Sequence, residues 1–330
     1  MPSRRTPSRL PALAGLAALA VCGAVHAQSS VSISGLIDLS AGRTQSPGGK
    51  AVKSVDSGQM STSYIAFRGT EDLGDGLKAK FALDAFLRND TGAAGRFDGD
   101  TFFARTSSVG LSGKFGDVNL GRITTGLFVN TLVFNAFGDS FGYSPSIRHY
   151  FTSGTTTGDT GWNDSVSYTT PSLSGLTVMA HAALAEANGG GRNTGLTGRY
   201  FGGPLALGLA WQKVEKGAAV ADTTTWQLGA SYDLKLVKLY GQFGNVDNKT
   251  TGVDYDITSL GATAPVGDLG VARLQWSGID PSTGAKRKTL SAGYGYYLSK
   301  RTELYAAIMS DKIDGLSGAT SYSLGVRHSY

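Results

Sequence analysis

The chain has 330 residues, with 30 Lys and Arg against 25 Asp and Glu and a net charge of +5 at pH 7. Three of the basic residues, Arg4, Arg5 and Arg9, stand at the N-terminus, so the remainder is nearly neutral and nucleic-acid binding has no electrostatic basis. The single cysteine, Cys22, lies in the same N-terminal stretch, which excludes disulfides and thiolate metal centres from everything after it.

Residues 1–27 have the pattern of a cleaved export signal. The three arginines form a basic start, Leu10 to Val25 is rich in Leu, Ala, Val and Gly, and Val25-His26-Ala27 offers a small-x-small cleavage site. Pro11 and Gly15 argue against a retained transmembrane helix, and Val21 before Cys22 is unsuited to a lipoprotein signal. Residues 28–330 then form one domain. No later apolar run approaches the roughly 18 to 20 residues of a spanning helix.

Period-two alternation governs the rest. Leu205, Leu207, Leu209 and Trp211 share one face, with Ala206, Gly208, Ala210 and Gln212 on the other. Trp226, Leu228, Ala230 and Tyr232 repeat the pattern, as do Tyr322, Leu324, Val326, His328 and Tyr330. The off-face is small or charged, which suits a wetted lumen better than the second apolar layer of a sandwich. Aromatics such as Trp211, Tyr232, Trp276 and Tyr330 fall near strand ends, where interfacial girdles lie.

The segments so predicted are 31–42, 60–71, 77–88, 100–113, 116–122, 163–171, 175–187, 193–201, 204–215, 222–234, 236–247, 252–265, 268–279, 286–298, 301–311 and 319–330. Short turns such as Asp72-Leu73-Gly74-Asp75-Gly76 alternate with long polar loops such as Arg43 to Gln59, Asn188 to Asn193 and Lys216 to Asp222. The fold class is therefore all-β: a 16-stranded antiparallel transmembrane barrel, wide enough for an aqueous channel.

One connection, residues 123–162, breaks the rhythm. Leu127, Phe128, Val129, Leu132, Val133, Phe134, Phe137, Phe141 and Tyr143 crowd its first half, and the nearest surface for them is the inner barrel wall. The expectation is a loop folded inward that narrows the channel, the alternative being a loop packed over the mouth or on another subunit. Its second half, Thr152 to Thr160, is Gly/Thr-rich and is expected to be mobile and exposed.

Several segments together resemble the general bacterial porins of Gram-negative bacteria, of the neisserial and β-proteobacterial type, over essentially the whole chain after the signal. They are Val31-Ser32-Ile33-Ser34-Gly35-Leu36-Ile37-Asp38, Phe67-Arg68-Gly69-Thr70-Glu71-Asp72-Leu73-Gly74-Asp75-Gly76, Val109-Gly110-Leu111-Ser112-Gly113, Leu120-Gly121-Arg122 and the closing Gly325-Val326-Arg327-His328-Ser329-Tyr330. The resemblance implies a homotrimer in the outer membrane, among its lipid and lipopolysaccharide. It implies a third external loop that forms the eyelet, and passive diffusion of ions and small hydrophilic solutes. It also implies recognition of the terminal Tyr330 by the barrel-assembly machinery. By position, Arg105, Arg122 and Arg68 match basic wall residues of the family. Tyr64 departs from it, standing where many relatives have Arg, and Arg148 on the loop is a compensating candidate.

Other pore candidates come from this sequence itself. Lys80 and Asp38 alternate onto the luminal face, and Asp139 is the only acid between Arg122 and Gly158. Basic candidates outnumber acidic ones near the loop, which predicts weak anion preference. No cofactor or metal is expected: His149, His181 and His328 share no ligand spacing, and Asp254-Tyr255-Asp256 fits a solvated strand edge better than a calcium site. Two rival functions are an occluded adhesin or structural barrel and a barrel enzyme. The latter lacks any Gly-x-Ser-x-Gly elbow or evident nucleophile–base pair, so no catalytic residue is assigned. Small luminal residues, Ala206, Gly208 and Gly229, argue for an open lumen.

Overall fold

The computed structural model describes residues 29–184, 191–215 and 220–330. The expected signal at 1–27 and parts of the loops Asn188 to Asn193 and Lys216 to Asp222 lie outside the described residues. The chain begins with β1 Ser30–Thr44, β2 Val52–Ser57, β3 Tyr64–Gly74, β4 Leu77–Arg88, β5 Ala93–Ala94, β6 Thr106–Gly113 and β7 Gly116–Thr124. Two short helices follow, α1 Gly126–Val133 and α2 Pro145–Phe151. Strands then run β8 Gly161–Thr169, β9 Leu176–Ala183, β10 Asn193–Gly202, β11 Leu205–Val214, β12 Thr223–Asp233 and β13 Lys238–Asn248. The last are β14 Val253–Val266, β15 Gly270–Pro281, β16 Arg287–Tyr297, β17 Thr302–Ile313 and β18 Ala319–Ser329.

Sixteen of these strands close an antiparallel barrel. β1 pairs with β3 from Ser30↔Thr70 to Leu36↔Tyr64, and with β18 from Leu36↔Ser329 to Arg43↔Tyr322. Closure leaves no edge, so no row of backbone amides faces hydrocarbon. β2 and β5 are hairpin extensions outside the ring: β2 folds back on β1 from Leu39↔Ser57 to Thr44↔Val52, and β5 on the end of β4. The stretch from Arg43 to Gln59 is thus not all loop, as its composition suggests.

The alternation resolves into two faces. Leu207, Leu209 and Trp211 are exposed on the outside of β11, while Ala206, Gly208, Ala210 and Gln212 are buried inside. Phe81, Val109, Leu120, Leu228, Phe243, Leu260, Leu274, Leu290 and Ile308 extend the apolar outer surface strand by strand. Such a belt is stable only against lipid. At one end the turns are tight: Asp75 and Gly76 have φ of 53° and 80°, the pair of left-handed residues that a two-residue hairpin turn needs.

β6 starts at Thr106, not at residue 100. The preceding segment is tied up in a turn, where the Asp100 carboxylate accepts from the Arg96 backbone amide and guanidinium, so Arg105 sits in a bend before the strand.

The core of the molecule lies inside the ring, between the long connection and the wall. α1 packs on β10, β11 and β12, and α2 on β14, β15 and β16. Each helix starts on a hydroxyl cap: Thr125 Oγ1 accepts from the Phe128 amide, and Ser144 Oγ from the Ile147 amide with Pro145 in the first turn. Three apolar clusters form, around Phe137, Tyr143 and Tyr305, around Tyr150, Ile257 and Ile279, and around Trp162 and Val214.

Two of the small luminal residues, Gly208 and Gly229, prove to be seats for this connection and not open bore. A Cβ on Gly229 would lie 2.3 Å from Phe134 Cδ2, and one on Gly208 would lie 2.4 Å from Phe134 Cε2. The stretch Thr152 to Thr160 is also not free. Thr155 and Thr156 are buried, Thr155 Oγ1 donates to the His149 carbonyl at 2.6 Å, and Thr157 Oγ1 donates to Ala221 O at 2.6 Å. Hydroxyls that looked solvated in sequence are consumed in pinning backbone carbonyls.

Candidate functional site

Three glutamines reaching inward from neighbouring strands position the loop. Asn130 Nδ2 donates to Gln227 Oε1 at 2.8 Å, and Gln227 Nε2 donates to Thr131 Oγ1 at 2.8 Å. Gln242 Nε2 donates to Thr131 O at 2.7 Å, and Gln275 Oε1 accepts from the Ala136 amide at 3.0 Å. His149 Nε2 meets Thr289 Oγ1 at 2.8 Å, and Tyr143 OH donates to Ser323 Oγ at 2.7 Å. Burial pushes the His149 imidazole down to about 3, with Arg287 adding to the shift, so it is neutral. Sequence reasoning missed these glutamines. The available signal was their inward parity among Gly, Ala and Ser.

With the loop against β10 to β16, the space on the other side is lined from β1, β2, β4, β17 and β18 and from the segment between β5 and β6. It forms two cavities that share Thr62, Arg96 and Phe141. The larger, about 500 Å³, is lined by Lys50, Arg88 and Arg148 among others. The smaller, about 230 Å³, is lined by Phe86, Arg105, Phe128, Asp139, Phe151 and Asp159.

The charges inside the barrel are organised as arginine pairs sharing one carboxylate. Asp84 is taken by Arg68 through two hydrogen bonds of 3.2 and 2.6 Å, while Arg105 stays 3.9 Å away and lies over the Tyr64 ring at 4.0 Å. Asp311 is held by Arg287 through two hydrogen bonds, while Arg148 stays at 3.6 Å. Burial lowers the Arg148 guanidinium from its ordinary value, and Arg287 lowers it further. Glu303 binds both Arg273 and Arg327. Asp159 binds both Arg96 and Arg122. Burial by itself would raise the Asp159 carboxyl, but the two arginines override it and hold it at about 2.

The predicted pore residues therefore part company. Arg105 and Asp139 line the smaller cavity, Arg148 lines the larger, and Tyr64 supports Arg105 from below. Arg68 is half exposed beside them. Arg122 is only 11% exposed and ties both ends of the loop, donating to Ala104 O, Gly161 O and Asn163 Oδ1. Asp38 is fully buried and lines neither cavity: its Oδ2 accepts from the Met60 and Ser61 amides at 2.7 Å, and its Oδ1 from Tyr305 OH at 2.7 Å. Lys80 pairs with Asp117 away from both cavities. Asp139 Oδ1 accepts from Ser61 Oγ at 2.8 Å. Arg96 and Asp159, central to the geometry, went unassigned in sequence because their roles depend on each other across 63 positions.

A family model described as Gram-negative porin matches residues 12–316. The chain is 37% identical to outer membrane porin protein 32 of Delftia acidovorans over 311 residues, which covers 89% of this chain and 87% of that protein. It is 41% identical over 61 residues to the major outer membrane protein P.IA of Neisseria meningitidis, 18% of this chain and 14% of that one. Among solved structures it is similar to an anion-selective porin from Comamonas acidovorans, with a TM-score of 0.78 and 28% identity, covering 92% of this chain and all of that one.

Proposed function

This chain belongs to the Gram-negative porin family, and from that premise we propose that it is an outer-membrane channel passing ions and small hydrophilic solutes passively, with preference for anions. The carrying observation is that Arg105 and Arg148, which each line a cavity, are the second arginines on carboxylates already taken by Arg68 and Arg287. Each leaves about one unit of positive charge facing the water path, where low-dielectric walls strengthen its field. The similar Comamonas porin is described as anion-selective, which supports the same sign.

In this reading residues 123–162 are the constriction loop of a domain spanning 28–330. Residues 1–27 are removed on export, and three copies assemble among outer-membrane lipid and lipopolysaccharide. Tyr330 at the end of β18 serves as the aromatic terminus that the assembly machinery recognises. Arg105, Arg148, Asp139 and Tyr64 act at the constriction. Arg122 and Asp38 hold its frame, Arg68 engages Asp84 so that the Arg105 charge stays unspent, and Lys80 is paired with Asp117 off the constriction. The channel carries out no turnover.

Reversal potentials across a tenfold KCl gradient test the proposal. Anion preference is expected, and it weakens toward zero potential in Arg105→Gln and Arg148→Gln. A clear cation preference in the native chain would refute it.

A further inference from the structure

The loop side of the smaller cavity presents three phenylalanines, Phe128, Phe141 and Phe151, each only half-buried. Phe128 stacks on Phe141 with ring centroids 5.9 Å apart and meets Phe151 edge-on at 5.3 Å. Phe86 lies across from them, with the Arg105 guanidinium 5.8 Å from its ring. Contiguous apolar rings on a water path are costly to leave bare, and such patches mark binding surfaces.

Charge in the same cavity is unevenly satisfied. Asp159 is taken by Arg96 and Arg122, and Asp139 by the Ser61 hydroxyl. Among the described residues the Arg105 guanidinium makes no hydrogen bond to protein, and its side chain is 29% exposed. It is a planar cation with free donors beside a wall of rings.

We propose that the constriction holds a binding site for planar aromatic monocarboxylates. The ring lies against Phe128 and Phe141, and the carboxylate accepts from the Arg105 guanidinium. An apolar cavity of about 150 Å³ takes up benzene, so one of about 230 Å³ has room for a ring and its carboxylate. Asp139 on the same lining repels a second carboxylate, which restricts the class to monoanions. The inference rests on the channel reading above, and it adds a solute class to it.

The test is block of chloride current through the native protein in planar bilayers by benzoate, cyclohexanecarboxylate or acetate. Benzoate is expected to interrupt the current reversibly at a half-blocking concentration about tenfold below that of acetate and about threefold below that of cyclohexanecarboxylate, the scale of one aromatic contact. Phe128→Ala is expected to raise the benzoate value about tenfold and to leave the acetate value in place. Equal half-blocking concentrations for benzoate and acetate overturn the site, as does benzoate block that survives in Phe128→Ala. The native comparison stands even where the variant fails to assemble. Absence of any chloride steps overturns the channel reading itself, and the site with it.

Discussion

Asp38 shows how a luminal carboxylate can be structural. Its two oxygens collect the Met60 and Ser61 amides and the Tyr305 hydroxyl, binding the entry of β3 to β1 and β17 with no opening to either cavity. Removing it strands buried donors, and the cost of unmet charge-assisted bonds is of the order of 3 kcal/mol. Asp38→Ala is expected to unfold at lower temperature than the native barrel, followed by the shift in gel mobility on heating. An unchanged unfolding temperature would contradict this account. Arg105 is the opposite case: the carboxylate beside it, Asp84, is already engaged by Arg68, and its guanidinium lines the smaller cavity.

The loop is the element that fills the barrel interior along β10–β12 and β14–β16. Its hold on the wall comes from shape as much as from hydrogen bonds. Phe134 fills the hollow over Gly208 and Gly229, where any side chain would collide with the ring. Gly229→Val is expected to displace α1, change the single-channel conductance and cost about 1–3 kcal/mol, the usual penalty of overpacking. Gly198→Ala is the matched control, since a Cβ there meets nothing within 4 Å. Equal conductance in the native and Gly229→Val channels would show that the seat does not set the loop. The helices themselves were missed in sequence, although Ser144-Pro145 is a recognisable start signal. Seven- and eight-residue helices are too short for periodicity to declare them.

At the scale of the whole molecule, the closed ring with its apolar exterior requires lipid, and the trimer proposed above would set three such barrels side by side within it. Unheated detergent extracts are expected to migrate at about three times the mass of the heated chain, with Gln28 as the first residue of the heated band. Migration as a single barrel under mild detergent would count against the trimer. The sixteen barrel strands and their faces were legible in the sequence because inside and outside alternate along each strand, a local rule that leaves its mark residue by residue, whereas β2 and β5 were not. The crowd of apolar residues after Leu127 likewise announced a loop that needs a surface. What the linear order could not settle was which charges remain unspent. Arg105 and Arg68 compete for Asp84, and Arg148 and Arg287 for Asp311, across separations from 16 to 163 positions in the chain. Pairing of neighbouring strands brings Arg68 to Asp84 and Arg287 to Asp311, and the inward fold of the loop brings Arg148 to Asp311. The winner of each carboxylate is fixed by distances of an ångström or so, because the strength of an ion pair depends on where the folded chain puts its two ends.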